Sequence, residues 1–302
     1  MKIHSMILGA ALTVCAFSAY AADTSNTLQK IKDTKEIVLG YREDATPFAY
    51  IDNSQTPTGF SVDLCREIVK GIEKALGMQD IRITYQPVTA SNRIPLLANG
   101  SIDLECGSTT NTQERQKAVS FLYTTYVTGT KILVRTDSGI NSVEDLKGKK
   151  IAVTAGTNNI RAVQKLNEEK HLNLTLVYGD SHAVNFLQLQ NGRVDGFSTD
   201  DILLSVLRAQ SKAPKDFKLI PEQLLSVEPY AIGVRKDDPK FKELADGILK
   251  TAFDDGKFTA IYEKWFMNPI PPKGINLDMP MSGELKQLMQ HPSDSTNPQP
   301  RQ

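Results

Sequence analysis

The same local pattern occurs twice in the chain, and this repetition constrains the fold more than any other feature. Residues 96–104 lead into the polar residues 107–110, and residues 187–195 lead into 198–200. Each copy is typical of a helix end, an Asn-Gly turn and a short strand, since Gly adopts the left-handed backbone that ends a helix. Open α/β sheets bind ligands at the carboxyl ends of their strands, so the repetition predicts two similar α/β lobes that face a shared crevice.

The segment before the first copy alternates between strand and helix. Residues 36–42 are an apolar run with a polar end, which predicts a buried strand. A helix follows, because apolar residues recur every three or four positions, and β-branched residues at 81–84 predict the next strand. The apolar helix positions are Val62, Cys65, Val69, Ile72 and Leu76. This order predicts an α/β protein with two mixed or mostly parallel sheets flanked by helices.

A chain of 302 residues is long enough for two compact lobes. Residues 126–130 and 228–231 are the predicted hinge crossovers, after which Asp238 and Pro239 predict the start of a helix. From residue 291 the sequence is polar and aperiodic, which predicts disorder. The predicted division is lobe 1 at 27–127 and 231–290, lobe 2 at 128–230, and a disordered tail at 291–302.

The N-terminus has the pattern of a secretory signal peptide. Lys2 precedes an apolar run from about residue 6 to residue 17, and Ala19-Tyr20-Ala21 is a small-residue cleavage site. We therefore expect residues 1–21 to be removed and the product to be periplasmic. No later stretch approaches the roughly 20 consecutive apolar residues that a membrane-spanning helix needs.

The balance of charge argues against a nucleic-acid partner. The chain has 35 basic and 35 acidic side chains, and loss of Lys2 with the signal peptide leaves 34 against 35. Without a basic excess, no release of counterions favours binding to a polyanion. Hydrophobic residues make up 40% of the chain and charged residues 23%, as in an ordinary soluble globular protein, and we expect a monomer.

Two of the three cysteines remain after the signal peptide is removed. Cys15 leaves with it, which places Cys65 and Cys106 together in an oxidising compartment. A disulfide between them is allowed. Two separate buried thiols are an equal alternative, because the sequence does not show whether their Cα atoms come within about 7 Å.

Charged side chains stand where the predicted strands end or the helices begin: Arg42, Arg93, Arg115, His182 and Asp200. Each one has an ordinary interpretation when it is taken alone. Most Arg side chains are solvated, a lone His is more often structural, and Asp200 beside Asp201 is able to cap a helix. Only their surroundings favour a ligand-binding interpretation.

Hydroxyl groups and predicted helix starts accompany these charges. Ser108 and Thr110 follow a strand, and Thr112 begins the predicted short helix that carries Arg115, so that N–H groups, hydroxyls and a guanidinium converge as an anion needs. In lobe 2, Ala155-Gly156-Thr157 repeats this logic after the strand at 151–154. A helix start capped by Thr157 without any ligand is the alternative.

Five longer motifs carry a family resemblance. From residue 36 to about residue 272 the chain resembles the polar amino-acid-binding proteins of ABC transporters, and within them the glutamate/aspartate-binding members. The resemblance implies a two-lobed periplasmic-binding fold of type II, a partner permease in the membrane, no cofactor and no enzymatic activity. The matching runs are residues 91–97, 105–111, 114–116 and 235–239, and residues 264–266 with 268–272.

The resemblance also implies roles for the groups around the α-carbon of the ligand. Arg115, assisted by Ser108, Thr110 and Thr157, corresponds to the residues that grip the α-carboxylate. Asp200 corresponds to the acid that holds the ammonium group. Because residues from both predicted lobes are needed for one ligand, binding is expected to close the lobes by a hinge motion.

The side-chain carboxylate of the ligand is assigned by the same resemblance to Arg42, Arg93 and His182. His182 would add a hydrogen bond and, near its pKa, positive charge. The chain departs from the family at Ala90, where close relatives carry a Ser that helps to hold this carboxylate. Affinity, or the preference between L-glutamate and L-aspartate, is expected to differ as a result.

Elementary electrostatics supports this assignment. Glutamate carries two carboxylates and one ammonium, and a buried carboxylate without a partner costs several kcal/mol. Arg is always protonated and its planar fork binds a carboxylate at two points. The same argument predicts rejection of glutamine, whose amide brings hydrogen-bond donors towards fixed donors.

Two other functions remain possible on this scaffold. An exported enzyme such as a cyclohexadienyl dehydratase would use Asp200 or His182 as a proton donor, and the fold alone does not exclude it. Against an enzyme, the sequence has no Ser-His-Asp order, no clustered His and Cys ligands and no phosphate loop. A protein that presents its ligand to a membrane sensor would share the binding chemistry.

Overall fold

A computed structural model describes residues 26–297 of the chain. The predicted signal peptide at 1–21 and the last five residues, 298–302, lie outside the described residues. Within the described part, no helix is long and apolar enough to cross a membrane.

The strands are short, and the central ones are buried along most of their length, as expected for sheets covered by helices on both faces. In chain order they are β1 (Glu36–Tyr41), β2 (Asp44–Ala45), β3 (Ala49–Ile51), β4 (Pro57–Thr58), β5 (Arg82–Pro87), β6 (Leu104–Glu105), β7 (Val119–Phe121), β8 (Tyr126–Thr128), β9 (Thr130–Arg135), β10 (Lys150–Thr154), β11 (Thr175–Gly179), β12 (Gly196–Asp200), β13 (Phe217–Ile220), β14 (Glu228–Tyr230) and β15 (Gly233–Arg235).

Four of the helices begin after a residue whose side chain accepts a hydrogen bond from the backbone of the first turn, namely Asn26, Ser181, Asp238 and Ser282. Asp238 accepts a hydrogen bond from the backbone N of Phe241 at 3.2 Å and so caps the helix Pro239–Asp254, as predicted. In chain order the helices are α1 (Thr27–Thr34), α2 (Phe60–Leu76), α3 (Arg93–Ala98), α4 (Asn159–Lys170), α5 (His182–Gln190), α6 (Asp201–Gln210), α7 (Pro239–Asp254), α8 (Lys257–Phe266) and α9 (Gly283–Gln290).

The two main sheets have the same strand order. One has the order β5-β1-β6-β15-β7 and the other the order β11-β10-β12-β9-β13. In each sheet the first three strands are parallel and the last two run antiparallel to their neighbours. The predicted pair of mixed α/β sheets is therefore confirmed. We call the part built on the first sheet lobe 1 and the part built on the second sheet lobe 2.

The repeated sequence pattern occupies equivalent places in the two sheets. Helix α3 is followed by Gly100 at φ +80°, and helix α5 by Gly192 at φ +68°. The strands that come next, β6 and β12, are each the central strand of their sheet. Both polar clusters therefore stand at the carboxyl end of a central strand, as the repetition predicts.

Two extended segments connect the lobes and pair with each other. Strands β8 and β14 form a two-stranded antiparallel ribbon in which Tyr126 lies opposite Tyr230. These segments coincide with the crossovers predicted from sequence. Beside them, Ile202 and Val206 of α6 pack into the buried cluster of lobe 1. A short ribbon of this kind permits the lobes to rotate as rigid bodies.

A disulfide joins helix α2 to the polar segment that follows β6. Cys65 and Cys106 are bonded, with their Cα atoms 6.2 Å apart, which decides between the two alternatives that the sequence left open. Both side chains are fully buried. The bond therefore anchors the residues just before Gly107 and Ser108 to the core of lobe 1.

The expectation of a disordered tail from residue 291 is wrong for residues 291–297. The backbone N of Thr124 donates to the carbonyl oxygen of Ser293 at 2.9 Å, and Asn111 donates to the carbonyl oxygen of Asp294 at 2.8 Å. The composition is too polar for a core of its own. These residues are held in place because N–H groups of lobe 1 donate hydrogen bonds to the carbonyl oxygens of the tail.

Candidate functional site

The carboxyl ends of the central strands of both sheets face one small cavity between the lobes. Its volume is about 10 Å³, close to the room that a single water needs, so an amino acid enters only when the lobes separate. Asn158, Asn159 and Thr199 line it without having been predicted. The predicted residues that line it are Arg42, Arg93, Ser108, Thr110, Thr157, His182 and Asp200.

Arg42 follows β1 directly and is almost fully buried, with 2% of its surface exposed. Its Nη2 donates to Oδ1 of Asp44 at 2.8 Å. Its Nη1 is buried and finds no hydrogen-bond partner within residues 26–297. A guanidinium that is desolvated and only partly paired is a strong attractor for an anion.

Arg93 is the first residue of α3 and is as deeply buried as Arg42. Its Nη1 makes a long contact of 3.4 Å to the carbonyl oxygen of Ser108, while Nε has no partner among the described residues. Burial, and next the positive charge of Arg115, lower the pKa of Arg93 to about 9. Arg93 still remains protonated at neutral pH. Its lowered pKa shows that the charged form is destabilised by burial and by Arg115, and a bound anion would offset this destabilisation.

Arg115 is the one predicted residue that does not line the cavity. It begins a 3-10 turn, Arg115–Lys117, and its backbone N donates to Oγ1 of Thr112 at 3.2 Å, as predicted. Its side chain donates to the carbonyl oxygen of Thr110 at 2.8 Å and to that of Gly156, in lobe 2, at 3.1 Å. In this closed arrangement Arg115 therefore bridges the lobes at the rim of the cleft.

Gly156 brings the lobe-2 loop against lobe 1. It has φ +78°, and a Cβ placed on it would lie 2.6 Å from the backbone of Ser91. Backbone atoms at that distance cannot give way as a flexible side chain does. Thr157 follows and donates its hydroxyl to the carbonyl oxygen of Thr154 at 2.7 Å. Glycine is therefore required here for the lobes to approach this closely.

His182 is the first residue of α5 and is 2% exposed. Its Nδ1 lies 2.9 Å from Oγ1 of Thr154, which also accepts from Asn185 at 2.9 Å. When that hydroxyl donates its own proton to Nδ1, the imidazole carries its proton on Nε2. Burial, assisted by Arg42, lowers the pKa of His182 to about 3. Burial therefore favours the neutral imidazole, so any positive charge on His182 is confined to pH values near this lowered pKa.

Asp200 ends β12 at the N-cap position of α6, but its side chain makes no capping hydrogen bond. Its carboxylate accepts instead from Nδ2 of Asn159 at 2.7 Å and from the hydroxyl of Tyr230 in the hinge. Burial, and next the charge of Glu228, raise the pKa of Asp200 to about 7. A nearby cation would stabilise the ionised form, so the carboxylate is suited to an ammonium group.

Comparison with known proteins places this geometry in a family. The model of the bacterial extracellular solute-binding proteins, family 3, matches residues 37–268. The chain belongs to this family. Its two lobes have the type II periplasmic-binding fold that the resemblance implied.

Individual relatives align over almost the full length. The L-glutamate/L-aspartate-binding protein of Pseudomonas aeruginosa is 38% identical, over 97% of this chain and 98% of its own. The glutamate/aspartate import solute-binding protein of Escherichia coli strain K12 is 39% identical, over 97% and 96%. An ancestral amino acid-binding protein described as a precursor of cyclohexadienyl dehydratase superposes with a TM-score of 0.69 at 27% identity, covering 80% of this chain and 99% of its own.

Sequence reasoning on this family-3 protein missed several buried acidic groups. Glu105 of β6 is fully buried, and neither carboxylate oxygen has a hydrogen-bond partner within residues 26–297. A Cβ on Gly107 would lie 2.4 Å from Oε1 of Glu105 and 3.1 Å from Cγ of Arg42, so glycine leaves room for both side chains. The available signal was a carboxylate at the end of a short strand that leads into the polar cluster.

Glu228, Tyr230 and Asp44 were also missed as site residues. Glu228 is fully buried in the hinge and accepts from Asn158 of lobe 2 at 3.0 Å and 3.1 Å. Their roles depend on contacts between segments that are far apart in the sequence, which no local pattern reveals.

Ala90, the departure from the family pattern, is buried beside Ser91 and presents no hydroxyl. In the described part of the chain, no cluster of His, Cys, Asp and Glu is arranged to hold a metal ion.

Proposed function

We propose that this chain is the periplasmic substrate-binding subunit of an ABC amino-acid transporter, and that it captures L-glutamate or L-aspartate between its lobes. One observation carries the proposal. Arg42 and Arg93 line the same cavity as the carboxylate of Asp200, and each has a buried guanidinium nitrogen without a hydrogen-bond partner in residues 26–297. Fixed positive charge and one fixed negative charge suit a ligand with two carboxylates and one ammonium.

The ammonium of the ligand binds Asp200 in this proposal. Ser108, Thr110 and Thr157 line the cavity, and their hydroxyls donate to the α-carboxylate once that of Thr157 turns away from the carbonyl oxygen of Thr154. Arg115 stands at the rim, where it donates to two backbone carbonyl groups, one from each lobe. When the lobes open, Arg115 loses its contact with Gly156, and one nitrogen of its guanidinium becomes free. This nitrogen then binds the α-carboxylate of the ligand as the lobes close.

The side-chain carboxylate of the ligand binds Arg42, Arg93 and His182. The first two have guanidinium nitrogens without a partner among the described residues. His182 contributes a neutral N–H donor, because its Nδ1 is engaged with Thr154. Glutamine would bring amide donors towards these donors and is expected to bind weakly. The relatives from P. aeruginosa and E. coli, whose names specify glutamate and aspartate, support the same ligand class.

Opening and closing of the lobes is part of the proposal. The small cavity admits no amino acid, so the ribbon of β8 and β14 must bend before a ligand enters. The closed form then brings groups of both lobes into contact with one ligand. A membrane permease distinguishes loaded from empty protein by the relative position of the two lobes.

We also propose that the protein works as a monomer, without a cofactor or a nucleic-acid partner.

Calorimetry with the purified mature protein tests the ligand class. Glutamate and aspartate should bind tightly, while glutamine and histidine should bind much more weakly. Equal affinity for glutamate and glutamine would contradict the charge argument. A crystal of the loaded protein in which Arg42 and Arg93 face bulk solvent would contradict the site.

An enzyme on the same scaffold is the second candidate. The pKa of Asp200, raised to about 7 by burial and Glu228, is one that a general acid needs near neutral pH. A role for Asp200 as the ionic partner of the ligand's ammonium group explains its position and its raised pKa without any catalysis. Incubation of the protein with prephenate or arogenate decides between them, since release of an aromatic product would establish the enzyme.

A further inference from the structure

A carboxylate of the protein itself binds two of the residues that we assign to the ligand's side chain. Asp44 lies in β2 of lobe 1, and its Oδ1 accepts from Nη2 of Arg42 at 2.8 Å. Its Oδ2 accepts from the backbone N of His182, the first residue of α5 in lobe 2, at 2.6 Å. One carboxylate therefore contacts both lobes: it binds the guanidinium of Arg42, which is assigned to the ligand, and the backbone N of His182, the residue whose imidazole is assigned to the ligand.

The surroundings of Asp44 form a built anion site rather than a surface ion pair. The Asp44 side chain is 17% exposed, and that of Arg42 is 2% exposed. Burial alone would raise the pKa of Asp44, but the charge of Arg42 and the hydrogen bond from the backbone N of His182 bring it below its ordinary value, so the group is ionised at neutral pH. The N-terminus of a helix also favours negative charge. Arg42 still has Nη1 buried without a partner inside residues 26–297.

We infer that Asp44 determines specificity by competing with the ligand's side-chain carboxylate for Arg42 and the N-terminus of α5. The inference rests on the proposed function. A ligand carboxylate that reaches Nη1 of Arg42 comes close to the like charge of Asp44 and is repelled. The amide of glutamine escapes this repulsion, and its NH₂ group is able to donate to Asp44. Asp44 therefore lowers the ratio of the Kd for glutamine to the Kd for glutamate, which means a weaker preference for acidic ligands over amide ligands.

The same contacts suit a simple latch that holds the lobes together, and the two roles predict opposite results. A latch stabilises the closed form for every ligand, so its removal weakens glutamate, aspartate and glutamine alike. A competitor weakens acidic ligands only. Its removal strengthens glutamate and aspartate and leaves glutamine unchanged or weaker.

Calorimetry on Asp44→Asn and Asp44→Ser measures this difference. The Asn variant removes the charge but keeps an oxygen for the backbone N of His182, and the Ser variant shortens the side chain. In both, the ratio of the Kd for glutamine to the Kd for glutamate should rise by about tenfold or more over that of the unchanged protein. The matched control is Glu43→Gln, the same loss of charge at an exposed neighbour, and it should leave the ratio unchanged.

Three outcomes would overturn the inference. Equal weakening of all ligands in the Asp44 variants would make Asp44 a latch. An equal rise of the ratio in Glu43→Gln would show that the loss of any negative charge in this region has the same effect, so that Asp44 has no specific role. An unchanged ratio in the Asp44 variants would exclude competition. Each of these leaves the proposed function intact if the unchanged protein binds glutamate, whereas failure of every variant to bind any acidic amino acid would remove both proposals.

Discussion

Lobe 1 and lobe 2 share a strand order but differ in the chemistry at their strand ends. Lobe 1 places guanidinium groups there, with Arg42 after β1 and Arg93 at the start of α3. Lobe 2 places a carboxylate, Asp200, and a neutral imidazole, His182, at the equivalent edge. The same backbone therefore supplies opposite charges to the two sides of one cleft, and an amino acid with separated charges is complementary to both.

The lobes also differ in how their strand ends are held. In lobe 1 the disulfide between Cys65 and Cys106 ties the polar segment after β6 to helix α2. In lobe 2 hydrogen bonds alone hold the groups, as where Asn159 donates to Asp200 at 2.7 Å. Closely spaced positive charges repel one another, and the disulfide stabilises the segment beside which they lie.

The largest effect is expected from breaking this support. Replacement of Cys65 and Cys106 together by Ser should lower the free energy of unfolding of lobe 1 by about 4 kcal/mol, from the closure entropy of a loop of about 40 residues. Urea unfolding followed by the fluorescence of Trp265, which lies in lobe 1, measures the change. The lobe-2 helices, followed by hydrogen exchange, should keep their protection. A loss that is equal in both lobes would contradict the comparison.

Removal of the only acidic group that we assign to the ligand is expected to come next. Asp200→Asn keeps the shape of the side chain but loses the charge that pairs with the ammonium group. Affinity for every amino acid should fall about 100-fold, as when one partner of a buried ion pair is removed. Asp216→Asn, an exposed carboxylate of lobe 2, is the control for calorimetry. Retention of most of the affinity in Asp200→Asn would contradict the assignment.

The corresponding change in lobe 1 should affect specificity more than binding as a whole. Arg93→Gln removes one of the charges assigned to the ligand's side chain and keeps polar donors in place. The ratio of the Kd for glutamine to the Kd for glutamate should fall by about 30-fold, because an acidic ligand then leaves a carboxylate poorly paired. Competition calorimetry with both ligands measures the ratio. Equal losses for both ligands would place Arg93 at the α-carboxylate instead.

The approach of the lobes is tested at Gly156. A Cβ there would lie 2.6 Å from the backbone of Ser91, so Gly156→Ala should resist closure and weaken ligand binding by about tenfold. Gly139→Ala is a matched control, because Gly139 also has a positive φ, +73°, but a Cβ on it would meet nothing within 4 Å. X-ray scattering with and without glutamate reports closure. Normal closure by Gly156→Ala would show that the lobes do not approach at this loop.

The smallest expected effect is a dependence on pH that comes from lobe 2. Burial and Glu228 raise the pKa of Asp200 to about 7, so part of the protein carries a neutral carboxyl group that cannot pair with an ammonium. Affinity should therefore fall as the pH falls, by about threefold between pH 7.5 and pH 6.5, with release of a proton on binding. His182, with its pKa near 3, does not contribute in this range. Calorimetry in buffers of different ionisation enthalpy detects the proton, and its absence would contradict the pairing.

Much of the fold was predictable because it depends on local patterns. The Asn-Gly turns at Gly100 and Gly192, the apolar period of α2 and the cap at Asp238 each act within a few residues. Repetition of one such pattern then predicted two equivalent sheets and a cleft between them. The tail at 291–297 escaped prediction, because it is ordered by contacts with Asn111 and Thr124 and not by its own composition.

The sequence by itself determined the two-lobed α/β architecture, the hinge segments and the positions of the charged groups at strand ends. Only the tertiary structure decided the pairing of Cys65 with Cys106, the neutral state of His182 and the presence of Asp44 beside Arg42. Asp44 and His182 are 138 residues apart in the chain, yet they share a hydrogen bond of 2.6 Å. Charge, pKa and hydrogen bonding in a buried site are set by whichever groups the fold brings together, and these lie far beyond the reach of any local pattern.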